Sequence, residues 1–141
     1  MSSYLNTGLQ KFQESLNGKI YVDKTILLAE LNECIKTPQK FICVSRPRRF
    51  GKSVTANMLC AYYSRGTDSS SQFDHLDIAE SPSYKQHLNN YHTIFVNMQL
   101  FFSRAQGNVE RMLQDLNRLI IEELGEEFGS IELKGGTELY D

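Results

Sequence analysis

Proline and glycine are scarce in this 141-residue chain, at 3 and 9 residues. That scarcity excludes a collagen-like repeat and a low-complexity linker, and with 40% hydrophobic residues it also excludes a disordered tail. Long apolar runs are missing: none approaches the ~20 residues of a membrane span. The opening Met1–Asn6 has neither the basic region nor the apolar region of a secretory signal. Cysteine is sparse, with Cys34, Cys43 and Cys60 at separations of 9 and 17. An odd, widely spaced set argues against a disulfide framework. No Cys-x-x-Cys is present, and His75, His87 and His92 do not fall at ligand spacing with any cysteine, so free thiols are expected rather than a metal site. The expectation is a single cytoplasmic domain over residues 1–141, with no membrane segment.

Charge is small in total and uneven in place. Residues 1–65 carry ten Lys/Arg against four acids, residues 66–141 five against thirteen, and the net is −2. A basic front half suggests an anionic ligand, although two halves that simply face each other would look the same.

The pattern along the chain alternates helix with strand. Thr7 can cap a helix to Leu16, stopped by Asn17-Gly18, and Ile20–Val22 is a brief extended piece. Asp23 reads as the cap of a helix to about Ile35, with Leu27, Leu28, Leu31 and Ile35 facing a core. Phe41–Val44 is a continuous apolar run that predicts a strand buried on both faces. A helix is predicted from Gly51 to about Ser64, packing through Val54, Met58, Leu59, Ala61 and Tyr62, and then a solvent loop at 65–71. Thr93–Met98 predicts a second strand, and Asn108–Leu124 a helix ended by Gly125. Ile131 and Leu133 give a last alternation. The expected class is therefore α/β: a partial parallel sheet flanked by helices. Its helical extension is placed at 1–38, its core at 39–128 and its tail at 129–141. Phe101-Phe102 and Tyr62-Tyr63 read as packing residues, and the acids at 122, 123, 126 and 127 as a solvated helix end.

One segment carries chemistry. Ser45-Arg46-Pro47-Arg48-Arg49-Phe50-Gly51-Lys52-Ser53 stands before a predicted helix, where G-x-x-x-x-G-K-[ST] places a phosphate-binding loop. A helix start offers unpaired N–H groups and the positive dipole end, Lys52 adds a mobile charge, and Ser53 can ligate Mg²⁺. Gly51 lets the backbone approach without a Cβ in the way. The pattern's first glycine is Arg46 here, and Pro47 has no N–H to donate. The bland alternative is a basic turn opening an ordinary helix.

Tyr21-Val22-Asp23-Lys24-Thr25 followed by this basic turn resembles the bacterial AAA-ATPase-like family, whose members often carry a C-terminal PD-(D/E)XK nuclease-like domain. Thr7-Gly8-Leu9…Phe12, Phe73…Leu76…Ile78 and Tyr91–Asn97 resemble further family segments, over roughly residues 5 to 125. The resemblance implies a P-loop NTPase-like domain of which this chain looks like the front half. It implies ATP and Mg²⁺ as cofactors, Arg46 being what the family has at that position. No counterpart of the Walker B strand ending in Asp-Glu is found: Leu119–Glu123 continues a helical stripe, and Asp74 and Asp77 follow a polar loop. The expected function is binding of a purine nucleoside triphosphate, with Arg46, Arg48, Arg49, Phe50, Gly51, Lys52, Ser53 and Val54 as binding residues and Ser53 on the metal. Hydrolysis by this chain alone is not expected, and no catalytic residue is assigned. Two rivals are a nucleic-acid-binding module using Arg46–Lys52, with a steep salt dependence, and a non-catalytic piece that pairs with itself or a full-length homologue through an open sheet edge.

Overall fold

The computed structural model describes Tyr4, Leu5 and residues 9–129. These fall into two compact units, one within residues 6–93 and one joining Tyr4 and Leu5 to the chain from Ile94 onward. The Thr7 cap and the Ile131–Leu133 alternation lie outside the described residues.

The first unit holds α1 (Leu9–Leu16), α2 (Ile26–Cys34), α3 (Lys52–Tyr63), α4 (Ser70–Phe73) and α5 (Tyr84–His87), with 3₁₀ turns at Pro38–Lys40 and Asp77–Glu80. α1 packs on α3 and buries one residue, Phe12, whose ring stacks on Phe73 with centroids 5.0 Å apart. Around them Leu28, Met58, Tyr62, Ile78 and Tyr84 close the core. α2 faces this core with Leu28 and Asn32 rather than with the expected leucine stripe. Asn32 is buried because its amide is satisfied: Nδ2 donates to the Tyr62 hydroxyl (3.1 Å) and Ser83 Oγ (3.0 Å), and Oδ1 accepts from the Tyr63 hydroxyl (2.8 Å). Leu27 and Leu31 are only half-buried.

α3 spans Lys52–Tyr63 and packs through Met58, Cys60, Ala61 and Tyr62, while Val54 stays exposed. The expected solvent loop contains a buried Ser69, whose hydroxyl donates to the Ala61 carbonyl (2.8 Å), and then turns into α4.

In the second unit, α6 (Met98–Arg104) and α7 (Val109–Phe128) pack around Phe101, Ala105 and Met112. Phe101 is core, as expected, but Phe102 is exposed. α7 starts where Asn108 accepts from the Arg111 N–H (2.9 Å), contains Leu119–Glu123, and runs through Gly125 to stop at Gly129. Glu123, read as a solvated helix end, instead accepts from the backbone N–H groups of Tyr4 and Leu5, both at 2.7 Å.

The expected α/β class with its partial parallel sheet is wrong: the described residues form seven α-helices and no β-strand. Pairing is confined to two isolated bridges, Leu5 with Ile94 and Ser64 with Tyr91. A continuous apolar run marks a strand only if neighbouring backbones take its N–H and C=O groups. Phe41–Val44 has no such neighbour and lies exposed, Phe41 at 86%. In Thr93–Met98 the extended backbone is cut short because Asn97 caps a helix, its side chain accepting from the Leu100 N–H at 3.2 Å. Ile20–Val22 pairs with nothing either. The open sheet edge on which self-pairing was expected is therefore missing among the described residues.

Candidate functional site

The basic turn ends at the N-terminus of α3, and its backbone is shaped for that position. Arg49 and Gly51 both adopt left-handed conformations, with φ of 66° and 80°. Gly51 tolerates this freely, whereas Arg49 holds it against the cost a Cβ brings. Gly51 is the N-cap residue of α3 and has no side chain to offer. The first helical bond runs from the Thr55 N–H to the Gly51 carbonyl at 2.9 Å. The amides of Lys52, Ser53 and Val54 therefore precede the intrahelical ladder, as at any helix start.

Lys52 folds back over the turn. Its Nζ donates to the carbonyls of Arg46 (2.5 Å) and Pro47 (2.9 Å), closing residues 46–52 into a ring. Pro47, which has no N–H to give, supplies an acceptor instead. Arg46, Arg48, Arg49, Lys52, Ser53 and Val54 are all exposed, and Phe50 is 59% exposed.

Beside the turn lies a cavity of about 550 Å³, within the size range of small-molecule sites. Arg46, Phe50 and Lys52 line it, together with Lys24, Ile26 and Leu27 from the start of α2. Arg48, Arg49, Ser53 and Val54 do not line it. Its two carboxylates are Asp23 and Glu30.

Lys24, which lines this cavity, was not singled out from the sequence. Its Nζ donates to the Phe50 carbonyl at 3.3 Å and stands 3.3 Å from where a Cβ on Gly51 would be. Asp23 and Thr25 on either side hold it in place. Asp23 Oδ1 accepts from the Thr25 N–H (2.8 Å) and hydroxyl (2.7 Å), and Oδ2 accepts from the Asp77 N–H (2.8 Å). The buried Thr25 hydroxyl accepts from the Ile78 N–H at 3.1 Å. Asp23 was expected to cap α2, but the N-cap residue is Thr25, with no side-chain cap hydrogen bond, and the Asp23 carboxylate holds the turn before the helix instead. Burial alone would raise the Asp23 carboxyl pKa, but these hydrogen bonds outweigh it and hold the group below the ordinary carboxylate range. Tyr21, partly buried and beside that charge, is pushed up to about 12.

The other acids considered lie elsewhere. Asp74 Oδ1 accepts from Lys85 and from the Tyr84 hydroxyl, each at 2.9 Å. Among the described residues no cluster of three or more His, Cys, Asp or Glu could hold a metal ion, and no helix is long and apolar enough to cross a membrane.

A glycine-lysine-serine turn thus opens α3 beside a cavity lined by Lys24, Arg46 and Lys52 and by the acids Asp23 and Glu30. The family described as predicted AAA-ATPases matches residues 6–138. The chain belongs to this AAA-ATPase-like family. No curated protein and no solved structure matches it.

Proposed function

We propose that the turn Arg46–Ser53 and its adjoining cavity bind a purine nucleoside triphosphate with Mg²⁺. The observation that carries this reading is the Lys52 ammonium lying over the turn carbonyls, at the start of a 12-residue helix that no side chain caps. Phosphate oxygens would take the place of those carbonyls as acceptors, a better match for a lysine charge. The residues fit such a group: Gly51 brings no Cβ to the turn, and the amides of Lys52, Ser53 and Val54 supply donors. Ser53 would hold Mg²⁺, with phosphate oxygens and water completing its shell as this ion prefers. The metal would neutralise phosphate charge. Arg46 and Phe50 are placed for the cavity, whereas Arg48 and Arg49 reach phosphate only from outside it.

Binding alone is proposed, and no residue is assigned to hydrolysis. Of the two cavity acids, Asp23 accepts three hydrogen bonds, two at Oδ1 and one at Oδ2, and Glu30 is exposed. Neither is assigned a role as base or second metal anchor.

Calorimetric titration with Mg²⁺–ATP tests the reading. Micromolar binding, about −8 kcal/mol, is expected for the unsubstituted chain. Lys52→Ala should weaken it at least tenfold, the size of a lost charge-assisted hydrogen bond. Absence of heat with the helical signal intact overturns the proposal. A short DNA duplex that binds with a steep salt dependence while ATP does not would place the nucleic-acid reading first.

A further inference from the structure

Lys24 comes from outside the glycine-lysine-serine turn, yet its ammonium reaches the Phe50–Gly51 peptide. An ammonium has three N–H donors, and the Phe50 carbonyl uses one. Lys24 also lines the same cavity as Lys52 and Arg46, so three cations converge there. Long lysine side chains are ordinarily free to swing away. Here the backbone that carries the side chain is tied down on both sides, by Asp23 to the Asp77 N–H and by Thr25 to the Ile78 N–H.

From this geometry we infer that Lys24 is a second phosphate-contacting lysine of the proposed nucleotide site, held there by the Asp23–Thr25 latch. The inference deepens the nucleotide reading and rests on it. Lys24 spans two jobs: one N–H fixes the Phe50 carbonyl, and the other two face ligand oxygens. The charge makes the site favour polyphosphates over monophosphates, since each added phosphate brings more negative charge within its reach. A side chain at position 51 would meet two obstacles of different weight, the backbone conformation and a lysine tip that would have to shift. The φ of 80° disfavours a Cβ, and a Cβ there would press on the Lys24 ammonium at 3.3 Å.

The test compares the unsubstituted chain with Lys24→Gln, Lys24→Met and Lys52→Ala, titrated with Mg²⁺–ATP, AMP and inorganic tripolyphosphate. Lys24→Gln removes the charge and keeps an amide donor on a side chain one bond shorter, while Lys24→Met removes both charge and donor. Lys24→Gln should weaken ATP and tripolyphosphate by about tenfold, as loss of a charged hydrogen bond does. AMP should change by less than about threefold, because fewer phosphate charges are in range. Equal weakening of all three ligands would mean that Lys24 only shapes the turn, which overturns the inference. So would an ATP affinity within twofold of the unsubstituted chain while Lys52→Ala loses binding; the nucleotide reading then stands without Lys24. If the unsubstituted chain binds neither ATP nor tripolyphosphate, both fall. Circular dichroism checks that each variant keeps its helices, and Lys24→Met serves if Lys24→Gln does not.

Discussion

At the C-terminal end of α3, Asn89 gathers the last carbonyls: its side-chain amide donates to Ala61 (3.1 Å) and Ser64 (2.8 Å), and its oxygen accepts from the Ser69 N–H (2.9 Å). Its own N–H donates to the Tyr62 carbonyl at 2.7 Å. At the N-terminal end of the same helix nothing comparable happens. Gly51 offers no cap, residues 41–50 are all exposed, and the cations of the turn bond only to its own carbonyls or stand in water. One end of a 12-residue helix is saturated and buried, the other open and charged. Tertiary hydrogen bonds are concentrated at the first end, and the proposed ligand site lies at the second. A turn built this way is expected to be alterable without unfolding the unit that carries it.

Three changes would break or sharpen that contrast. Asn89→Ala should have the largest effect, a loss of about 3 kcal/mol in urea unfolding, because it strands buried carbonyls and puts a Cβ residue at φ 52° with no local hydrogen bond to favour it. Asn89→Gly should recover about 1 kcal/mol of that, the conformational share. If both variants were neutral, the saturated end would not be what holds α3.

Asp23 comes next, as the link between the two regions. Its folded pKa is depressed, so its contribution to stability is complete above the ordinary carboxylate value of about 4 and is lost as pH falls through the lower folded value. Urea midpoints measured from pH 6 down to 3 should therefore fall more for the unsubstituted chain than for Asp23→Asn. Parallel curves would remove Asp23 from the latch. The smallest effect is expected at the open end: Lys52→Ala should shift stability by less than about 0.5 kcal/mol, as exposed substitutions do, while removing nucleotide. A large loss there would show that the turn belongs to the folded framework.

Several features of this chain were legible in its residues. The basic turn and its position at a helix start follow from side-chain chemistry and helix periodicity. The span of α3, the start of α7 near Asn108 and the burial of Phe101, though not of Phe102, are likewise local matters of periodicity. Phe41–Val44 and Thr93–Met98 misled because apolar β-prone residues report a wish for burial and pairing, whereas a strand exists only when another backbone supplies the partners. Lys24 was hidden for a related reason. Its contact with Phe50 spans 26 positions and depends on where Asp23 and Thr25 meet Asp77 and Ile78, more than 50 residues further on. By itself, then, the sequence determined which residues are cationic, where α3 lies and where α7 starts, because those depend on atoms a few residues apart. Only the tertiary structure decided that no strand of the described chain pairs, and that a second lysine stands at the turn. Those outcomes depend on which distant segments meet, and periodicity carries no information about that.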